Sequence, residues 1–388
     1  MVRTAFLWAH RWLGLVSGLV VFVVALTGCL YVFEEEWREA FQHKYLHVAP
    51  QPVEQRLPLT TLAAAVQTAY PQERITQVRF QEKPDAAFVF HTKKELAVSV
   101  NPYTAKIIGH RDLNKDFMSV VLDIHLHLML GEVGEEIVRW NVLIFFVLCV
   151  SGLVLWWPKQ KRFLRQALTI KWKTKNRKRL NWDLHSVLGF YVLFVLLIIS
   201  LTGMFWVFDA AKNVVSLATG SPVWKAPKVQ SEVGVLAKEA PLDSAYLRTR
   251  AAHPGASQAF ISLPKDEKEP IRVLFRYPYA IVRKQTTVWY DQYSLAHLHT
   301  DTYQRYSRYE YISRSIYDFH TGRIRALGLG SKIIYFLASL FAASLPVTGT
   351  LIWWNRRKKS KTKVRNNAAS YIEQPAHRHQ IKQLQPLQ

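Results

Sequence analysis

The chain has two cysteines in 388 residues, Cys29 and Cys149, and both lie inside long apolar runs. No disulfide framework therefore holds whatever folds outside those runs. Acids are scarce, 28 Asp and Glu against 51 Lys and Arg, and none falls within the apolar runs. That argues against an ion-coupled transporter, which needs ionisable groups at membrane depth. There is no P-loop, no GxGxxG opening a helix after a strand and no HExxH, so neither nucleotide chemistry nor a zinc protease has its usual motif.

What is present is hydrophobic length. Trp12 to Phe33, Trp140 to Trp157, Leu184 to Phe208 and Ile333 to Trp354 are four apolar runs, each close to the roughly 20 residues that cross a bilayer. Trp, Tyr and Lys/Arg anchors flank them. The formal charge of +23 is concentrated: residues 1–11, 158–183 and 355–388 hold 21 of the 51 Lys/Arg and only Asp183 and Glu373 among acids, which is +19 of the +23. Short basic loops stay in the cytoplasm. The expected protein is thus a multi-pass protein of a bacterial inner membrane with both termini cytoplasmic. Contact with anionic membrane lipid follows from the same basic stretches, and nucleic acid is not an expected partner because they carry no binding fold.

This topology divides the chain into a cytoplasmic start and first span (1–33), an outer segment (34–138), a second span (139–157), a basic cytoplasmic loop (158–183), a third span (184–208), an outer segment (209–332), a fourth span (333–354) and a basic tail (355–388). Each outer segment is long enough for a small domain with its own core. Ala87 to Val100 and Ile271 to Phe275 carry strand signals, and Leu59 to Tyr70 reads as a helix opened by Thr60 or Thr61.

Leu26-Thr27-Gly28-Cys29 has the look of a lipoprotein cleavage box, but an internal repeat explains it better. Aligning Trp8 to Phe33 with Asp183 to Phe208 places His10, Gly14, Leu26, Thr27 and Gly28 on His185, Gly189, Leu201, Thr202 and Gly203, with Met204 in place of Cys29. Asp123-Ile-His125 and Asp318-Phe-His320 precede the other two spans, in which Gly152 to Trp157 matches Gly349 to Trp354. The expected fold is membrane α-helical: a four-helix transmembrane bundle from a tandem repeat, with two α+β extracytoplasmic domains. Two units of one orientation imply a pseudo-twofold axis along the membrane normal.

That axis pairs His10 with His185 near the cytoplasmic face and His125 with His320 near the outer face. A single histidine at a helix end is ordinarily a capping or snorkelling residue; four in a symmetric pattern point to a bound group. Two opposed imidazoles without carboxylate or thiolate suit a six-coordinate haem iron better than tetrahedral zinc. No CxxCH exists, which excludes covalently attached c-type haem.

Gly14 and Gly28 lie on the helix face of His10, and Gly189 and Gly203 on that of His185, with each histidine and its distal glycine separated by about 27 Å of helix rise. These glycines either make room for a flat ligand at each level or allow close helix contact. Asp123 and Asp318 either orient the outer imidazoles or cap a helix. Arg11, Arg323 and Arg325 either neutralise propionates or anchor the helices. His127 competes with His125 for the outer position, His43, His47, His91, His110 and His253 read as surface residues, and His297-Leu-His299 as a weak metal site at most.

The chain resembles the PepSY-associated transmembrane family, the iron-regulated membrane proteins, and in particular its ferric-siderophore reductase branch. The resemblance rests on His10-Arg-Trp-Leu-Gly14, the Leu-Thr-Gly motifs, His125 with Gly131, Asn101-Pro-Tyr-Thr104, Phe319-His320-Thr-Gly-Arg323 and Gly349 to Trp354. It implies PepSY-like periplasmic domains, two haem b groups in the bundle and reduction of ferric siderophore, with electrons from an unidentified donor, a quinol or a cytoplasmic reductase. Leu126 and His127 depart from the family pattern. The alternative is a membrane-anchored PepSY protein that binds peptides or inhibits proteases without redox activity.

A ferric siderophore would meet the outer face above His125 and His320. Arg305 to Tyr317 mixes cations and aromatics, and Arg305, Arg308, Tyr309 and Arg314 are its candidate contacts. The same tyrosines are equally suited to packing a sheet at the membrane interface.

Overall fold

A computed structural model describes residues 2–234 and 240–372; the basic tail therefore lies partly outside the described residues. Among the described residues four helices are long and apolar enough to cross a membrane. They are α1 (Val2–Tyr31), which leads into α2 (Glu34–Leu46), and, further along the chain, a helix starting at Gly131, one over Arg177–Val207 and one starting in the segment Arg325–Arg357. The spans begin earlier than hydropathy alone indicates. The second opens at Gly131 because Glu132, Glu135, Glu136 and Arg139 on its first turns are mostly exposed, so the helix extends past its apolar stretch.

Between the spans, the first half of the chain runs through α3 (Leu59–Ala69), β1 (Ile75–Gln81), β2 (Phe88–Thr92), β3 (Leu96–Val100), β4 (Ile107–Asp112) and α4 (Phe117–His127) into the second span, α5 (Gly131–Trp156). A short helix α6 (Leu164–Ala167) lies in the basic loop. The third span is α7 (Arg177–Asp183), a π-helical turn over Leu184–Leu188, and α8 (Gly189–Val207). The second half then repeats the order: α9 (Asp209–Thr219), α10 (Pro241–Ala252), β5 (Gln258–Ser262), β6 (Ile271–Arg276), β7 (Gln285–Tyr290), β8 (His297–Thr302), α11 (Arg308–Thr321) and the fourth span, α12 (Gly328–Ile372).

The eight strands form one antiparallel sheet in the order β4-β3-β2-β1-β5-β6-β7-β8. Two four-stranded meanders are joined edge to edge by β1 and β5, with Arg79 opposite Phe260 and Gln77 opposite Ser262. The expectation that each outer segment has its own core is corrected here. Val78, Phe90 and Val98 of the first half and Ile261, Val273 and Phe275 of the second share a single buried cluster with Leu62 and Val66 of α3 and Ala245 of α10. The reason is edge chemistry: β1 and β5 would each leave a row of unpaired N–H and C=O groups, and pairing them removes two edges at once.

Other links cross the same seam. Asp243 of α10 accepts hydrogen bonds from the Leu59 amide, from the Thr60 amide (3.1 Å) and from the Thr60 hydroxyl (2.6 Å). The helix expected to open on Thr60 or Thr61 thus starts at Leu59, and its free amides are capped from the other half. Tyr246 donates to Glu82 at 2.6 Å, and Arg56 pairs with the same carboxylate at 3.0 Å.

The four spans close into a ring in which α1 packs on α12 and α5, and α8 on α5 and α12. Small residues bring α1 and α12 together: a Cβ on Gly18 would stand 3.3 Å from Pro346, and Ala338, Ala342 and Ala343 are buried. The sheet sits beyond one end of this ring. Its apolar face packs on α3 and α10, and its polar face turns towards α2 and α11, to which it is tied by Arg111 to Gln42 and by Asp301 to Arg314 at 3.4 Å.

Candidate functional site

Each of four histidines rests on a glycine of a neighbouring helix and on the hydroxyl side chain that precedes that glycine. His10 Nδ1 is 2.8 Å from Ser151 Oγ, and a Cβ on Gly152 would stand 3.4 Å from the imidazole Cε1. His185 Nδ1 is 2.9 Å from Thr348 Oγ1, with Gly349 at 3.3 Å by the same measure. His125 meets Thr27 at 3.1 Å and Gly28 at 3.2 Å. His320 meets Thr202 at 3.0 Å and Gly203 at 3.4 Å.

The hydroxyls decide the imidazole tautomer. Thr27, Ser151, Thr202 and Thr348 each donate their one proton to a carbonyl a turn back in their own helix. Towards the histidine they can only accept, so Nδ1 carries the proton and Nε2 keeps its lone pair. The carbonyls of Val24 and Ile199 accept from His125 and His320 in the same way, at 3.0 and 3.1 Å. Among the described residues no hydrogen bond engages Nε2 of any of the four.

The rings then meet in pairs. His10 and His185 have centroids 6.4 Å apart with planes at 86°, and His125 and His320 have centroids 6.3 Å apart at 76°. A metal–nitrogen bond of about 2 Å, plus about 1.1 Å from nitrogen to ring centre on each side, requires centroids about 6 Å apart. Two neutral imidazoles so spaced, with no acid hydrogen-bonded to either, fit bis-histidine ligation of haem iron.

The two aspartates do neither task expected of them. Asp123 pairs with His127 at 2.8 Å, and Asp318 is buried in a two-bond contact with Arg283, at 2.9 and 3.0 Å, and accepts from Tyr279. The helix caps are Asp116 for α4 and Ser307, in a reciprocal capping box with Glu310, for α11. With His127 held on Asp123, it is His125 that faces His320. Gly14 and Gly189 lie beside Leu148 and Leu345, at 3.7 and 3.6 Å, in ordinary helix contacts, whereas Gly28 and Gly203 lie against imidazoles.

The sequence reading passed over Gly152 and Gly349 as site residues, and the four hydroxyls as histidine partners. The available signal was a Ser/Thr-Gly dipeptide in every span: Thr27-Gly28, Ser151-Gly152, Thr202-Gly203 and Thr348-Gly349. Trp206 also escaped notice; its ring stands edge-on 4.9 Å from His320.

The arginines near the sheet-side pair are structural ties. Arg323 is buried and donates to Glu34 at 2.9 Å, the Tyr31 carbonyl at 2.7 Å and the Tyr317 hydroxyl at 3.1 Å, fastening the end of α1 to α11. Arg325 pairs with Glu35; beside the other pair, next to His10, Arg11 lies over Trp12.

The Arg305 to Tyr317 segment does not present one surface. Arg305 and Arg308 are exposed, Tyr309 is buried beside Phe205 and Ile316, and Arg314 pairs with Asp301 and lies 4.7 Å over Trp224. Cationic character is instead gathered on the bundle-facing side of the sheet, where Arg79, Arg111 and Arg276 stand with His91. Burial and the neighbouring Arg38 and Arg111 push Arg79 down to about 10, and burial with Arg79, Arg111 and Arg38 pushes His91 down to about 3. Asp116 is held below the usual carboxylate range: burial opposes this, but Arg38, Gln42 and Ser119 outweigh it.

Comparison with curated proteins finds no match. The family model of the PepSY-associated TM region matches residues 7–356, from the first span through the sheet to the end of the fourth, and the chain belongs to that family.

Proposed function

We propose that this chain is a di-haem reductase of the bacterial inner membrane that delivers single electrons to ferric siderophore in the periplasm and releases ferrous iron. The observation that carries the reading is the fourfold cradle: four imidazoles, each with Nδ1 on a Ser/Thr hydroxyl and Cε1 against a glycine, meeting in two pairs at 6.4 and 6.3 Å. Haem b held between each pair would supply one-electron exchange between ferric and ferrous iron. The protein's part is to hold Nε2 unprotonated, fix each ring by its hydroxyl and carbonyl partners, and surround the pairs with apolar helix.

Siderophores bind Fe(III) far more tightly than Fe(II), so one electron per ion, drawn from a quinol or a cytoplasmic reductase, loosens the chelate. The two halves are read as a tandem repeat of one PepSY-like unit, with the termini and the 158–183 loop cytoplasmic. Reporters fused within Lys171 to Arg179 should then read cytoplasmic and reporters inserted near Pro84 or Lys265 periplasmic.

The decisive measurement is the absorption spectrum of the purified chain, oxidised and dithionite-reduced, with haem counted per chain. Two low-spin haems are expected. His10→Ala or His185→Ala should remove one, and His125→Ala or His320→Ala the other. A chain with no Soret band, or four single variants that all keep full haem content, would overturn the assignment; the first result would favour the peptide-binding anchor.

A further inference from the structure

Outside the paired histidines, Glu39, His43 and His47 form the one cluster of three among the described residues whose ligating atoms all lie within 4.8 Å of one another. His43 and His47 read as surface residues in the sequence, although with Glu39 they stand at four-residue spacing. The fold brings them together at the end of α2, where residues four apart lie one turn above each other on one face. The His43 and His47 rings are stacked with centroids 4.3 Å apart and planes at 17°. Glu39 stands 3.7 Å from His43 Nε2 and 3.1 Å from His47 Nε2.

We propose that Glu39, His43 and His47 form an exchangeable binding site for a divalent first-row transition-metal ion of the iron-to-zinc series, on the sheet side of the molecule. Four observations carry this. Two imidazole nitrogens and one carboxylate are a donor set suited to iron, nickel, copper and zinc, whereas magnesium and calcium take oxygen ligands. Both Nε2 atoms lie against the same carboxylate, so one ion can reach all three groups.

His47 is held from behind: its Nδ1 is 3.0 Å from Asp85, the carboxylate–histidine arrangement that orients a ligating imidazole and leaves Nε2 for the ion. An imidazole flanked on both nitrogens by carboxylates is satisfied either by a second proton or by a cation in that proton's place. Finally, the backbone is fixed where the ligand sits. The Val48 amide donates to the Asp85 carbonyl at 2.8 Å, the Ala87 amide to the Leu46 carbonyl at 2.9 Å, and His47 bridges Ala86. The end of α2 is thereby pinned to the loop before β2 that carries Asp85.

The side chains of Glu39 and His43 are 57% and 65% exposed, and three protein ligands leave coordination positions to water. Both features make the site one that loads and unloads rather than one that holds the fold together. The inference is independent of the electron-transfer reading, since none of its residues touches the paired histidines.

The test is calorimetric titration of zinc(II) into the full chain, purified in detergent without an affinity tag, with magnesium(II) as the comparison ion. One saturable site is expected for zinc and none for magnesium. His43→Ala and Glu39→Gln should each weaken it at least about tenfold, while His297→Ala, whose imidazole bonds Thr300, leaves it unchanged. Circular dichroism of His43→Ala should match the parent, because that side chain is exposed. The absence of a saturable zinc site, or parental affinity in either His43→Ala or Glu39→Gln, would overturn the proposal.

Discussion

At the scale of single residues the protein is marked by polar groups whose partners come from distant sequence. His91 is the clearest titrating case. It lies on β2 among Arg79, Arg111 and Arg38, its Nε2 is buried without a partner, and its pKa is pushed down to about 3 from the 6.5 of a free imidazole. Between those two values the unfolded chain binds a proton that the folded chain does not, so stability rises with pH across that window. The contribution of neutral His91 is therefore full above about pH 6.5 and is lost, up to a few kcal/mol, as pH falls towards 3. His91→Gln should flatten the acid limb of a denaturation-midpoint profile; an unchanged slope between pH 6.5 and 4 would show that His91 titrates normally. Sequence reading placed this residue at the surface, because alternation along β2 does not reveal that the polar face of the sheet is covered by α2.

The paired histidines were legible for the opposite reason. His10 and His185, and His125 and His320, occupy equivalent positions in matching sequence motifs, and the rings of each pair do meet. Their orienting groups were not legible. Asp123 and Asp318 stood nearest in sequence, yet Thr27, Ser151, Thr202 and Thr348 reach the imidazoles from other helices, and the Ser/Thr-Gly dipeptide that marks each hydroxyl does not say which histidine it meets.

At the scale of elements, close approach decides which substitutions are tolerated. α4 turns into α5 through Leu128 and Met129, both at positive φ, and Gly131. This corner is so tight that a Cβ on Gly134 would fall 1.6 Å from the His127 carbonyl oxygen. The atom in the way is backbone, so no rotamer change relieves the clash. Gly134→Ala should cost at least about 3 kcal/mol and displace α4 with His125, removing the haem proposed for the sheet-side pair and sparing the one proposed for His10 and His185. Gly14→Ala, whose Cβ would meet only Leu148 at 3.7 Å, should change stability by no more than about 0.5 kcal/mol. Thermal unfolding with haem counting separates the two, and equal effects would contradict the packing described.

The π-helical turn at Leu184–Leu188 is a further feature of this scale, for it contains His185. Such turns add a residue to the helical circuit and often occur at functional positions. α1 has no such turn at His10, so the helices that carry these two rings differ where the rings meet. The four spans were readable because hydrophobic length is a local property; the π-helical turn was not, since nothing in Leu-His-Ser-Val-Leu distinguishes it from α-helix.

For the molecule as a whole, the joining of β1 to β5 makes one body of two segments. Gln77 and Ser262 lie directly opposite, their side chains 3.1 Å apart. Changing both to cysteine should give an intrachain disulfide, since opposed Cβ atoms in an antiparallel pair come within about 5 Å. After proteolysis in the 158–183 loop the halves should then stay linked until reduced. Separation of the halves without reductant would mean that they fold as independent domains.

Sequence alone determined the membrane class, the number of apolar helices and which histidines oppose one another. Each follows from composition, length or register, quantities that a chain carries without folding. Only the tertiary structure decided that two four-stranded halves share one sheet and core, that Asp243 caps a helix of the other half, and that Ser/Thr hydroxyls, not aspartates, set the imidazole tautomer. The physical reason is that edge pairing, capping and hydrogen-bond donation are satisfied by whatever group arrives in space. In this molecule the carboxylate that caps α3 arrives from 184 residues away, and the guanidinium that holds the Tyr31 carbonyl from 292.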